Sequence, residues 1–181
     1  KILRNSSGNP PELIRESHRN PPDILWGTLP KTCGSGGSIP RAMNEFRTRR
    51  RIEFADTDLV GICHFARFFI FMETAEHDFL ASLGTRVIVD REEGRIGWPR
   101  VAASCDYLAP VRFGDVLDIE VKVIRKGRTS LTWAHEISRD GTPVARGRIT
   151  TVCCQLTPNG KAVPIPIPDD IAEKILEAES A

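Results

Sequence analysis

"FADTDLVGICHFARFF", residues 54–69, decides how the rest of the chain is read. Two acids, Asp56 and Asp58, stand one residue apart; Gly61 follows, and an aromatic-rich run begins at Phe65. From there apolar side chains recur at Phe65, Phe68, Phe69, Met72, Ala75, Phe79, Leu80 and Leu83. That is the spacing of one helical face, and Gly84 supplies a stop. Ile70 and Phe71 widen the face, which predicts a helix enclosed by other structure rather than laid on a surface. Acids just ahead of such a helix have three readings: they shape a turn, hold a metal, or act on a substrate at the helix's positive end.

Outward from this stretch the pattern turns to β. "FRTRRRIEF" leads into the acid turn as a strand. "VLDIEVKVI" alternates, with Leu117, Ile119, Val121 and Val123 on one face and Asp118, Glu120 and Lys122 on the other. "TSLTWAHEI" does the same with Leu131, Trp133, His135 and Ile137. Lys126-Gly127-Arg128 and Asp140-Gly141 are hairpin turn signals. "TPVARGRITTVCCQL" and "WPRVAASCDYLAPV" complete about four strands whose short turns imply antiparallel pairing. The prolines of "VPIPIP" end the sheet, and "DDIAEKILEAES" predicts a short amphipathic helix. The expected fold is α+β, a curved antiparallel sheet wrapped around one long central helix.

Three segments follow. Residues 1–42, with Pro-Pro pairs and a Gly/Ser cluster, read as a disordered or loosely attached extension, and Met43 as the natural start. Residues 43–163 form the folded domain, and 164–181 a Pro-rich linker with the terminal helix. The chain has 181 residues, 40% hydrophobic and 27% charged, with a formal charge of +1. That balance argues against bulk attraction to nucleic acid or an anionic membrane, and no run is apolar enough to span a bilayer. Five cysteines in neither a zinc nor a disulfide spacing favour a reducing, cytoplasmic setting. Sheet edges on a modest core predict a homodimer or homotetramer.

"RIEFADTDLVGICHFARFFIFMETAEHDFL" followed by "CDYLAPVRFGDVLDIEVKV" resembles the hotdog-fold acyl-CoA thioesterases, in particular the 4-hydroxybenzoyl-CoA thioesterase type. The resemblance covers roughly residues 46 to 157. It implies hydrolysis of a short-chain or aromatic acyl-CoA, with coenzyme A as part of the substrate and no separate cofactor or metal. It implies that Asp58 is the catalytic carboxylate and that the backbone N–H of Phe65 polarises the thioester carbonyl. Cationic and hydroxyl groups at Arg125, Lys126, Arg128 and Ser130 would meet the phosphates of coenzyme A.

The chemistry is sound at these residues. Hydrolysis develops negative charge on the carbonyl oxygen, and a helix N-terminus offers unpaired donors and partial positive charge. Gly61 permits the tight path between Asp58 and Phe65. Asp58 either attacks the carbonyl or holds a water; the sequence leaves both open. Asp56 is read as a turn-forming acid. A calcium loop fails because its twelfth position is Arg67 rather than glutamate. His64 stands where the family more often has an aromatic residue. It is a pocket wall or a further catalytic candidate. Cys63 reads as packing, Glu73 as a buried hydrogen-bonding acid and His135 as a satisfied core residue. A non-catalytic acyl-CoA-binding module and a hotdog enoyl-thioester hydratase or dehydratase are the competing readings.

Overall fold

The computed structural model describes residues 42–92, 94–157 and 159–178; the extension predicted at 1–42 lies, but for its last residue, outside them. The chain runs β1 (Glu45–Arg51), α1 (Arg67–Ser82), β2 (Val89–Arg91), β3 (Gly94–Gly97), β4 (Arg100–Tyr107), β5 (Val116–Lys126), β6 (Ser130–Arg139), β7 (Thr142–Val152), β8 (Cys154–Leu156), β9 (Ala162–Pro164) and α2 (Asp169–Ala172). The main sheet has the order β1-β5-β6-β7-β4, antiparallel throughout. The alternation in β5 and β6 becomes burial: Leu117, Ile119, Val121 and Val123, then Leu131, Trp133, His135 and Ile137, all face inward. The turn Asp140-Gly141 has positive φ at both residues, as a two-residue primed turn between twisted strands requires.

Helix α1 lies on this face through Phe71, Met72, Ala75, Phe79 and Leu80. Phe79 meets Trp133 edge-to-face at 5.3 Å. Each of the buried phenylalanine, methionine and leucine side chains contributes about 1.5–3 kcal/mol. Gly147 of β7 lets the helix come close, since a Cβ there would sit 1.9 Å from Met72 Sδ. The helix ends as the sequence predicts: Gly84 has φ 72°, its N–H donates to Ala81 O, and Thr85 N–H donates to Leu80 O.

The antiparallel sheet against one long helix is the fold expected, with an exposed strip of the helix left at Ile70, Thr74 and Ala81. Two expectations need correction. The strands form two sheets, because the chain leaves the main sheet at Cys153 and continues as β8 in a second sheet of order β2-β3-β8-β9. Its strands are only three or four residues long, too short to show a period. The terminal helix is a single turn, Asp169–Ala172. The segment around it packs as part of the domain, with Ile167, Ile171 and Ile175 buried and Ile175 bridged to Met43.

β4 closes one edge of the main sheet, and almost all of its residues are exposed.

Candidate active site

Residues 52–65 are held by backbone hydrogen bonds, two of them to the loop between β4 and β5. Ile52 N–H donates to Asp115 O, Cys63 N–H to Val111 O and His64 N–H to Asp56 O. The two acids have separate fates. Asp56 is fully buried; its Oδ2 accepts Glu53 N–H at 2.9 Å, its Oδ1 accepts Arg67 Nε at 2.6 Å, and Arg50 stands 3.6 Å away. Burial opposes the charge, but the Glu53 N–H and the two arginines outweigh it and hold the carboxyl below its usual range. Asp56 therefore shapes the turn, as its spacing suggested.

Asp58 is half-buried. Its Oδ1 accepts Val60 N–H at 2.8 Å and Ile62 N–H at 3.4 Å, and Gly61, at φ 79°, completes that turn. Its Oδ2 accepts no bond from the described residues. The side chain lines a cleft of about 300 Å³ whose other walls are Ile62, Cys63, Phe65, Phe68, Tyr107, Leu108, Ala109, Pro110 and Val111. Apart from Asp58 these walls are almost wholly apolar.

The backbone at the tip of α1 singles out one donor. Cys63 N–H goes to Val111 O, His64 N–H to Asp56 O, Ala66 N–H to His64 Nδ1, Arg67 N–H to His64 O and Phe68 N–H to Phe65 O. In this run only Phe65 N–H has no acceptor among the described residues. Phe65 itself is 60% exposed at the cleft. Asp58 and Phe65, joined in the sequence by an expectation, thus border one cavity.

His64 is exposed and shares a groove outside the cleft with Asp58 and Gly61. Cys63 is buried, and desolvation pushes its thiol up to about 11, so it stays neutral and packs. Glu73 was expected to be the buried acid of α1. It is half-exposed, and Glu76 is the buried one, pushed up to about 7 by desolvation and held at 2.9 Å by Arg100. Helical periodicity places both near β4 without deciding which points inward. His135 is buried as expected, but neither ring nitrogen makes a well-formed hydrogen bond. Desolvation takes it down to about 4.

The basic hairpin is not beside Asp58 within one chain. The Asp58 turn sits at the Val116 end of β5, and Arg125, Lys126, Arg128 and Ser130 sit at the other. Eleven residues of strand separate the two ends by about 33 Å. Lys126 is moreover turned inward, its Nζ donating to Ala172 O at 3.0 Å and Ile175 O at 2.7 Å. Arg125 and Arg128 remain exposed. Among the described residues no three His, Cys, Asp or Glu side chains stand together as a metal site, and no helix is long and apolar enough to cross a membrane.

Two participants were missed as such. Arg67, on the first turn of α1, is the partner that seals Asp56. Tyr107, at the end of β4, donates its hydroxyl to Phe65 O at 3.1 Å across 42 residues. No local pattern signals a contact of that range.

The strand order and the single long helix against the sheet are those of the hotdog-fold thioester hydrolases, as comparison with known proteins shows. The chain belongs to the Thioesterase-like superfamily, whose sequence model matches residues 52–175. It is 31% identical over 121 residues to a "Putative esterase" of Aquifex aeolicus, covering 67% of this chain and 91% of the other. It is 30% identical over 130 residues to a 1,4-dihydroxy-2-naphthoyl-CoA hydrolase of Synechocystis, covering 70% and 92%. Among solved structures, a 1,4-dihydroxy-2-naphthoyl-CoA thioesterase from Synechocystis superposes with a TM-score of 0.63 at 25% identity, over 72% of this chain and 95% of that one. A gentisyl-coenzyme A thioesterase matches with a TM-score of 0.63 at 26% identity, over 71% and 98%.

Proposed function

We propose that the protein hydrolyses the thioester of a short-chain or aromatic acyl-CoA in the cleft between Asp58 and the tip of α1. The observation that carries this reading is that one apolar cavity is lined by both Asp58, whose Oδ2 accepts no bond from the described residues, and Phe65, whose backbone N–H has no acceptor among them. The thioester carbonyl oxygen accepts the Phe65 N–H. As the carbonyl carbon becomes tetrahedral, charge grows on that oxygen, and a preorganised donor there contributes about 3–4 kcal/mol to the transition state. Asp58 acts on the carbon, by direct attack to an acyl-aspartyl intermediate or by holding the attacking water. Coenzyme A leaves as the thiol. Water is the only co-substrate, and no cofactor or metal takes part.

Phe65, Phe68 and Tyr107 suit a flat aromatic or short acyl group, which agrees with the aromatic CoA esters in the names of several relatives. We further propose a homodimer, alone or paired into a tetramer, formed through β4, whose outer edge pairs with no strand among the described residues and is exposed. A two-fold antiparallel β4–β4 pairing reverses the second copy. It brings the partner subunit's Arg125 and Arg128 toward the end of the sheet where Asp58 lies. The phosphates of coenzyme A then meet a hairpin that one chain alone keeps far away. A cytoplasmic setting belongs to the same proposal.

Thiol release from a panel of aliphatic and aromatic acyl-CoAs tests it. Turnover of short or aromatic esters supports the reading. Tight binding without turnover would make the protein a binding module, and hydration of enoyl-CoA would make it a hydratase.

A further inference from the structure

Building on the hydrolase reading, we infer that His64 and Tyr107 are positioning residues that clamp the Phe65–Ala66 peptide from both ends and so aim the Phe65 N–H. The carbonyl of this peptide accepts the Tyr107 hydroxyl at 3.1 Å. Its N–H donates to His64 Nδ1 at 3.3 Å. The N-cap of α1, Ala66, makes no side-chain cap bond, and the imidazole instead accepts the N–H of Ala66 itself, just ahead of the first helical turn.

Two consequences follow from these contacts. Ala66 N–H, the donor next to Phe65, is consumed, so a carbonyl oxygen at the helix tip finds one open donor rather than two competing ones. The Phe65 N–H belongs to the preceding peptide, joined to the anchored one through Phe65 Cα, so holding the Phe65–Ala66 plane at both ends limits how far the backbone around that N–H can swing. Each anchor is itself fixed. The Tyr107 ring packs edge-on against Phe68 at 5.4 Å, and the His64 ring lies 4.5 Å from the Phe65 ring. Burial and the neighbouring Cys105 raise the Tyr107 hydroxyl above its ordinary range, which keeps it a donor.

The clamp also fixes the chemistry of His64. A ring nitrogen that accepts a hydrogen bond carries no proton, so the neutral ring holds its proton on Nε2. His64 then acts through Phe65 and not on the substrate. Because Tyr107 ends β4, the same contact ties the donor to the exposed sheet edge.

The experiment is steady-state kinetics of the full chain with the best acyl-CoA of the panel, for His64→Ala, His64→Asn and Tyr107→Phe. It is joined by the nitrogen NMR shifts of His64 in the unliganded protein at neutral to mildly alkaline pH. Asparagine can accept the Ala66 N–H but cannot shuttle a proton, and phenylalanine keeps the ring against Phe68. We expect His64→Ala and Tyr107→Phe to lower kcat roughly 10- to 100-fold, the scale of a misplaced reacting group, with KM changed less than about twofold. His64→Asn restores most of kcat, and the spectrum shows the Nε2–H tautomer. Equal losses in His64→Ala and His64→Asn, unchanged kcat in Tyr107→Phe, or an Nδ1–H tautomer would overturn the clamp. A wild-type protein that turns over no thioester would remove the hydrolase reading instead, while the tautomer still decides the clamp.

Discussion

Asp56 and Asp58 are the same residue type two positions apart, and their surroundings differ completely. Asp56 is sealed at 0% exposure with every oxygen engaged by a backbone N–H or an arginine. Asp58 spends one oxygen on its own turn and presents the other to an apolar cleft. The comparison separates structure from chemistry. A carboxylate whose partners are complete stabilises a fold, and one left incomplete beside an unpaired donor is available to a substrate. Asp56 also serves Asp58, because its carbonyl accepts His64 N–H and so ties the acid turn to the helix tip.

Substitutions should split along the same line. Asp58→Asn keeps the shape and removes the charge. Thioester hydrolysis should fall roughly 100- to 10,000-fold, the range of acid–base or nucleophilic loss, while the melting temperature barely moves. Asp56→Ala should do the reverse: it leaves Arg67 and Arg50 without their buried partner. Urea unfolding should register a loss of about 3 kcal/mol, near the lower end for a broken buried pair because Arg67 is 36% exposed. If the two variants lost activity and stability in equal proportion, the division of roles would not stand.

Acid titration of stability sharpens the contrast. The folded-state carboxyl of Asp56 lies below its unfolded value, so its contribution is complete above about pH 4 and is lost as pH falls through the folded value. Glu76 and His135 act in the opposite senses. Glu76, raised to about 7, makes the fold less stable as pH rises from 4.5 towards 7, because the native state holds the proton longer. His135, lowered to about 4, makes the fold less stable as pH falls from 6.5 towards 4. The two slopes offset each other in the wild type between those values. His135→Gln should therefore uncover a stability that rises on acidification, measured as melting temperature from pH 7 to 5. A flat profile in that variant would refute the assignment.

The smallest effect belongs to the far hairpin. Arg128→Ala should raise KM for acyl-CoA about threefold, the worth of one exposed ionic contact. It should leave the pantetheine ester, which lacks the nucleotide phosphates, unchanged. An equal change for both esters would argue against phosphate contact.

Much of the fold was legible because period and turn chemistry are local. The inward residues of β5 and β6, the Gly84 stop and the Asp140-Gly141 turn all follow from spacing or from backbone freedom. The second sheet was not legible, since β2, β3, β8 and β9 are too short to alternate and β9 ends in proline. The lone exposed face of α1 was also hidden, because apolar residues such as Ile70 read as buried whether or not anything covers them. The motif singled out Asp58, Phe65 and Gly61, and the fold sets Asp58 and Phe65 on one cleft and Gly61 in the turn between them. Tyr107 and Arg67 depend on contacts that only the folded chain creates, and so does the turn of Lys126 onto the carbonyls of Ala172 and Ile175.

The most direct test is a crystal structure of Asp58→Asn holding an acyl-CoA it hydrolyses too slowly to lose. The account predicts the thioester oxygen about 3 Å from Phe65 N, with its carbon turned toward residue 58. A thioester seated elsewhere, with Phe65 N–H still unmet, would contradict it.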